Sequence, residues 1–394
     1  MDFTYSLLHG WLGGLPPWAV VGLAAAIPGI LLITFMAVGP IVYVYAERKF
    51  SAFMQDRLGP MRVGPYGLLQ TIADAIKLLF KEAIFPADAD KVLFTLAPCL
   101  VVLGAFLSFV VIPFGSHLQT VDLNVGIFYV VAVSSISTVG VIMAGWASNN
   151  KYALFGAMRS AAQIVSYEIP AVLSLLTIVM IVGSLSLQDI VHAQAGGLTH
   201  WFIFRYFPLM PVVFLVFFTA SLAECNRTPF DIPEAESELV AGFHTEYSGF
   251  FFAMFFMAEY TEMFVVSAVA SVLFFGGWMS PFPWAWTQGV GPIGFGPFWL
   301  IAKSWSFIFI HMWLRWTLPR LRVDQLMYVA WKVLLPIAMT LVVAFGLLVI
   351  AFPEGFPWDQ IVSWPLTGLV LFSLIFVMVG ALRYRFRRAQ ELAA

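Results

Sequence analysis

The sequence predicts an all-α, polytopic integral membrane protein with about nine transmembrane helices and one amphipathic interfacial helix. Three observations carry this. The 394 residues are 61% hydrophobic and 11% charged, with mean hydropathy +0.90. Soluble domains run at about 25% charged, so this chain lacks the polar side chains to cover a water-facing surface. That excludes a soluble enzyme and intrinsic disorder. Apolar runs of membrane-crossing length recur along the chain, and the basic residues collect on alternate connections between them. A load of 39 Phe, 14 Trp and 12 Tyr suits lipid contact and interfacial belts.

A transmembrane helix needs about 20 mostly apolar residues. Candidate spans fall at roughly 18–45, 92–114, 125–148, 159–184, 207–226, 248–276, 297–317, 327–352 and 364–384. Nine spans put the termini on opposite sides. One side then holds Arg48, Lys49, Arg57, Arg62, Lys77, Lys81, Lys91, Lys151, Arg159, Arg227, Arg315, Arg320, Arg322, Arg383, Arg385, Arg387 and Arg388. The other holds Arg205, and Lys303 and Lys332 lie within spans. The positive-inside rule places the N-terminus outside and the C-terminus in the cytoplasm. The first 17 residues carry no Lys or Arg, so the positive region of a signal peptide is not expected there.

One connection has helical periodicity. Leu68, Leu69, Ile72, Ala75, Ile76, Leu79 and Phe80 alternate with Gln70, Asp74, Lys77 and Lys81 at three- and four-residue spacing. The pattern predicts an amphipathic helix over 66–82, about 24 Å long, lying in or near the membrane interface. A membrane-surface anchor is the plain reading. Asp74 is the acid on its polar face.

Four acids stand where lipid would be. A charge at the bilayer centre costs about 2.5–3.5 kcal/mol on the insertion scale. Glu168, Glu224, Glu259 and Glu262 facing lipid would together cost about 10–14 kcal/mol, more than many domains have in total. They are therefore expected to face a protein interior, a hydrated cavity or one another, as groups in a proton or ion pathway do. Snorkelling is a credible alternative for Glu224, at a helix end, and a weak one for Glu259, inside a long apolar run.

The segment Arg227-Thr-Pro-Phe-Asp231-Ile-Pro-Glu234-Ala-Glu236-Ser-Glu238, followed by Glu246, carries five acids on the side that otherwise collects positive charge. Asp231 and Glu234 have the spacing of a capping box, with Glu236 and Glu238 in the first helical turns. That explains part of the cluster, and an acidic cytoplasmic funnel meeting the intramembrane acids explains more. Basic residues stand opposite: Arg48, Lys49, Arg57 and Arg62 after the first span, Arg159 before Tyr167 and Glu168, Arg315 and Arg320 after the seventh. Anchoring suffices for Arg383 to Arg388. Beside Arg48, Glu47, Tyr43 and Tyr45 suggest a polar interior pocket.

Redox groups find no home in the sequence. Cys99 and Cys225 are too few for a cysteine-ligated iron–sulfur cluster or zinc site. Of six His, His311 alone lies well inside a span, against paired haem ligation. Neither a dinucleotide fingerprint nor a P-loop is visible; the Gly-rich stretch 59–65 fits neither. Metal and cofactor sites are therefore not expected.

Four blocks carry a family resemblance. They are Glu47-Arg-Lys with Gln55-Asp-Arg-Leu-Gly-Pro-Met-Arg-Val-Gly-Pro-Tyr-Gly-Leu-Leu-Gln70 and Ala73-Asp-Ala-Ile-Lys-Leu78; Gly145-Trp-Ala-Ser-Asn-Asn-Lys-Tyr-Ala-Leu through Ser166-Tyr-Glu-Ile-Pro170; Ala223-Glu-Cys-Asn-Arg-Thr-Pro-Phe-Asp through Glu246-Tyr-Ser-Gly249; and Arg315-Trp-Thr-Leu-Pro-Arg320 through Asp324-Gln-Leu-Met327. In these the chain closely resembles the H-subunit family of bacterial proton-pumping NADH:quinone oxidoreductase, respiratory complex I, which includes the mitochondrially encoded subunit 1. The resemblance covers about residues 18–350 of a single membrane domain over 1–394; 351–394 add a helix and a basic tail.

The resemblance implies a multi-pass subunit of the bacterial inner (plasma) membrane in the respiratory chain, N-terminus periplasmic. It would frame a quinone chamber with peripheral iron–sulfur subunits at the cytoplasmic face, and contact small membrane subunits and antiporter-like subunits. Arg48, Arg57, Asp74, Arg315 and Arg320 match residues of that chamber or its entry. Glu234, Glu236 and Glu238 match the acidic loop beside the quinone head group. Glu168, Glu224 and Glu259 match acids leading toward the pumps, accompanied by Tyr167, Arg227 and Glu246. Glu262 has no carried-over role. Quinone would be substrate, and the iron–sulfur clusters and FMN would sit in partners, so the isolated chain is expected to have neither redox cofactor nor activity. A subunit of a related membrane hydrogenase or ferredoxin-linked complex shares the helix plan but fits the 234–247 segment less well. A secondary transporter would call for inverted repeats, which the sequence does not display.

Overall fold

A computed structural model describes residues 16–116, 118–232, 236–282 and 295–351, with the side chains of 17–25, 27–28 and 236–237 excepted. The expected span at 364–384 and the basic tail lie outside the described residues. Every regular element described is helical. In order, the main ones are α1 (Pro17–Met54), α2 (Gln70–Phe80), α3 (Lys91–Ser108), α4 (Gly126–Ala147) and α5 (Lys151–Val182). Then come α6 (Leu209–Glu224), α7 (Gly249–Phe274), α8 (Gly296–Thr317) and α9 (Val323–Ala351), the last with a π-helical stretch at Val329–Leu334. Among the described residues six helices are long and apolar enough to cross a bilayer: α1 from Gly29, α3, α4, α5, α7 and α9. The chain is an all-α polytopic membrane protein. Helix α6 has 16 residues, and α8 has 22 but carries Lys303 and Arg315.

Three boundaries differ from the sequence expectation. Helix α1 runs on to Met54, so Glu47, Arg48 and Lys49 are helical rather than loop residues. Helix α5 starts at Lys151 instead of 159, because Asn150 caps it by accepting from the Tyr152 N–H at 2.9 Å. Charged residues are good helix formers, and a helix need not end where its apolar stretch does. Conversely α2 has 11 residues, about 16 Å, because the chain reaches it through left-handed turns at Gly64, Tyr66 and Gly67. A Cβ at Gly67 would lie 2.1 Å from the Pro60 carbonyl oxygen, so glycine is required there.

The packing is that of a membrane bundle. Helices α3 and α4 pair closely at Gly140, where a Cβ would come within 2.5 Å of a Val101 methyl. Amphipathic α2 packs on α1 and α7, yet leaves Ile72, Ile76, Leu79 and Phe80 exposed and turns Asp74 to Arg48 of α1. That inverts the arrangement of a soluble helix and calls for an apolar solvent on its outer face.

Two locks fix α7 at its ends. Pro98 has no N–H, so the Phe94 carbonyl loses its intrahelical donor. The Tyr247 hydroxyl supplies one at 3.2 Å, with its ring stacked 4.0 Å from Phe94, which pins the approach to α7 onto α3. At the far end Lys303 Nζ donates to the carbonyls of Phe275, Gly277 and Met279 at 2.7, 2.8 and 2.7 Å. A cation is favoured there by the helix dipole.

Candidate functional site

At the basic end of the bundle, where Arg48, Arg159, Arg227 and Arg315 lie, three helices and one loop bring charges together. Gln163 of α5 orients the loop after α6: its amide nitrogen bonds the carbonyls of Ala223 and Phe230, both at 2.7 Å. The loop thereby inserts Arg227 among the helices, fully buried. Arg227 Nη1 lies 3.1 Å from both carboxylate oxygens of Glu47 on α1, and Nε lies 3.3 Å from Glu259 on α7. Its guanidinium sits 4.3 Å over the Tyr260 ring, whose hydroxyl donates to Glu47 at 2.7 Å. Arg315 of α8 completes the group by pairing with Glu47. Two carboxylates, Glu47 and Glu259, thus face two guanidiniums, and Arg227 serves both.

Asp231, four residues on, pairs with Arg320 at 3.3 Å. Burial pushes its carboxyl above the usual aspartate range, against the opposing pull of Arg320. The capping-box reading of Asp231 and Glu234 falls on a segment, 233–235, outside the described residues; the helical turn described after it is Glu236–Leu239. Glu234 lies outside the described residues, as does the side chain of Glu236. Glu238 reaches Arg159 at 2.5 Å.

Beyond Glu259 the structure opens two small cavities. One of about 30 Å³ is lined by Ser137, Asn226, His244, Glu224, Glu259 and Glu262. The next, about 50 Å³, is lined by Ser134, Glu168, Glu224 and Glu262 among valines, alanines and a phenylalanine. Each exceeds the roughly 10–15 Å³ that one water requires. At the far wall Ser135 donates to Glu168 at 2.5 Å. Glu47, Arg227, Glu259, the Glu224 and Glu262 pair, and Glu168 therefore form one contiguous polar line inside the bundle. The intramembrane acids face a protein interior, as their cost in lipid requires. Snorkelling fails for Glu224, whose carboxyl lines internal cavities.

Other expected residues fall elsewhere. Arg48 does not share a pocket with Glu47; it pairs outward with Asp74, which also accepts from Gln70 at 3.2 Å. Arg57 is exposed and bonds Gln55 at 2.6 Å. The Tyr167 hydroxyl donates to the Leu326 carbonyl at 3.0 Å, where α9 approaches its π-helical stretch, and so ties α5 to α9. Glu246 accepts from Asn150 at 2.6 Å and lines an open groove with Asp88 and Lys151, apart from the glutamate line. Sequence reasoning placed Glu47 in a polar pocket with Arg48 rather than with Arg227 and Arg315, missed Tyr260, and left Glu262 without a role. Their signal was adjacency: Glu47 stands beside Arg48, and Tyr260 and Glu262 flank the position already marked by Glu259.

Comparison with known proteins identifies the family. The profile of the family described as NADH dehydrogenase matches residues 27–346. The H subunit of the NADH-quinone oxidoreductase of Chlorobaculum tepidum is 56% identical over 332 residues, covering 82% of this chain and 91% of its own. The H subunit of the Chlorobium luteolum enzyme is 53% identical over 344 residues, covering 84% and 91%. That of Bacteroides fragilis is 43% identical over 365 residues, covering 88% and 99%. With a family match over most of its length and relatives this similar, the chain belongs to the NADH dehydrogenase family of membrane proteins, as an H subunit of NADH-quinone oxidoreductase.

Proposed function

We propose that this subunit frames the quinone chamber of the complex at its basic end and couples quinone reduction to proton translocation through its buried glutamates. Reduction takes two electrons from an iron–sulfur cluster of a peripheral partner and two protons, and releases quinol. Arg48, Arg57 and Asp74 beside α2 line the entry from the bilayer. Arg315, Arg320 and the acidic loop with Glu234, Glu236 and Glu238 surround the head group. The basic end faces the cytoplasm of the bacterial inner membrane, by the positive-inside rule, and meets the peripheral subunits there. The far wall near Glu168 faces the small membrane and antiporter-like subunits.

One observation carries this reading: Arg227 is shared between Glu47, which holds Arg315, and Glu259, which opens the cavity line. Charge at the head group alters the demand on Arg315 and Glu47. Arg227 passes that demand to Glu259, since a cation drawn toward one carboxylate compensates the other less. Glu259 then takes up or releases a proton, and waters in the two cavities carry it past Glu224 to Glu168. Each step moves a proton between oxygen atoms, and the electrons stay on the quinone and its donor.

Replacing Glu224 or Glu259 with Gln in the intact complex, reconstituted in sealed vesicles, tests the reading. The proton-to-electron ratio is expected to fall at least twofold while the complex still assembles. An unchanged ratio and rate in both variants would reject the coupling role.

A further inference from the structure

The two cavities are separated by a wall in which two carboxyl groups stand, and only one of them has a place in the coupling route from Glu259 to Glu168. Glu224 comes from the end of α6, and Glu262 from α7 three residues after Glu259, on the same helical face. Both residues line both cavities. The charged neighbours of Glu262 are Glu224 and Glu259, themselves acids. No cation pairs with it among the described residues. Around it stand Val265, Val266 and Phe255.

A carboxyl in such a wall, lacking a cation, is retained at a cost unless it is protonated or solvated by water. A mid-helix position gives it no capping role, and its side chain packs no apolar surface that a methionine would not pack better. What it does provide is reach into two hydrated spaces from one point. Without it the passage between the cavities would depend on Glu224 alone. Two carboxyls in one apolar wall titrate as a pair, and one proton between them leaves a donor beside an acceptor, the condition for transfer.

We propose that Glu262 is a proton-carrying residue of the line, bridging the two cavities in parallel with Glu224. The step moves one proton and no electrons. A protonated Glu259 gives its proton through water in the smaller cavity to the Glu262 carboxylate, and Glu262 gives it through the larger cavity toward Glu168. The inference rests on the coupling role proposed for Glu259, Glu224 and Glu168.

The test compares E262Q, E262D and E262A with E224Q and E259Q in the intact complex, in sealed vesicles. E262Q keeps the size of the side chain and removes its exchangeable carboxyl proton. It is expected to lower the proton-to-electron ratio at least twofold, and E262D to restore at least half of the loss; a structural role would not distinguish Gln from Asp in that way. Redox-induced infrared difference spectra provide a second readout: a carboxyl C=O band is expected to vanish in E262Q and shift in E262D. If E262Q pumps like the parent while E224Q and E259Q do not, the inference falls and the coupling reading stands. If E224Q and E259Q pump normally, the coupling reading falls first. Should E262Q and E262A not assemble, an unshifted band in E262D overturns the inference.

Discussion

Two adjacent regions of this molecule use glutamate under opposite conditions. Around Arg227 every carboxylate has a cation: Glu47 has Arg227 and Arg315, and Asp231 has Arg320. Around the two cavities Glu168 has the Ser135 hydroxyl, and Glu168, Glu224 and Glu262 have room for water but no cation among the described residues. Glu259 belongs to both sets. An ion-paired buried carboxylate is fixed in its charged state and holds structure. An unpaired one must be able to take a proton to remain where it is. Thus, among the described residues, the same side chain is ion-paired on one side of Glu259 and lines cavities without a cation partner on the other.

The comparison breaks most sharply at Arg227. Replacing it with Met leaves Glu47 short of a partner and Glu259 without one. Removing one side of a buried pair costs about 3–5 kcal/mol, a large share of a typical stability. Membranes carrying Arg227→Met are expected to contain little assembled complex. Arg227→Lys should recover part of it, since an ammonium cannot reproduce the fork that serves two carboxylates. Normal assembly of the Met variant, measured as complex per membrane protein, would show that the cluster is not held by this cation.

A smaller effect is expected at Glu47. Glu47→Gln keeps the shape and the chance of bonding Tyr260 but withdraws the charge that holds Arg315. If Arg315 is positioned for the quinone head group by this pair, the apparent quinone KM should rise by about tenfold, the equivalent of about 1.4 kcal/mol, with less loss of assembly than at Arg227. Unaltered quinone kinetics would detach Arg315 from Glu47 functionally. Weaker again is Lys303→Met, at the opposite end of α7. It removes the donor to three carbonyls and should cost about 1–3 kcal/mol. A lowered melting temperature with an unchanged proton-to-electron ratio would place Lys303 with the structural ties, and a changed ratio would extend the functional line to the far end of α7.

What sequence could reveal follows the same division. Glu168, Glu224 and Glu259 were legible because each interrupts an apolar run, and the cost of an acid in lipid needs no tertiary information. Glu47 was legible as part of a polar pocket, but its partners were not: it precedes Arg48 and Lys49, where a span is expected to end, and the continuation of α1 to Met54 sets it against Arg227 and Arg315. Tyr260 was hidden because a tyrosine in a membrane helix is ordinary until a carboxylate is seen at its hydroxyl. The pairing of Arg48 with Asp74 instead of the interior depends on where α2 docks, which the left-handed turns through Gly64 and Gly67 decide. The helical plan itself was legible because hydropathy and basic-residue placement are local properties, whereas the sharing of Arg227 is set by three helices distant in sequence.

His244 sharpens the comparison at the smallest scale, as a buried titratable group of a third kind. It lies in the turn before α7, packed against Phe243, Phe252 and Phe255, and lines the smaller cavity beside Glu224, Glu259 and Glu262. Burial pulls its imidazole down to about 3, so it is neutral in the folded protein at neutral pH. An unfolded histidine titrates near 6.5. Between these values the unfolded state binds a proton that the folded state does not, so stability is complete above about 6.5 and falls as pH falls. Between pH 6.5 and 5.5 the loss from this group should be about 1 kcal/mol. The contribution of His244 is read as a difference between variant and parent. The melting temperature of His244→Gln should decline less than that of the parent between pH 7.5 and 5.5. Parallel declines would mean that His244 is protonated in the fold, which would make it a cation for the glutamate line and move it from the third kind to the first.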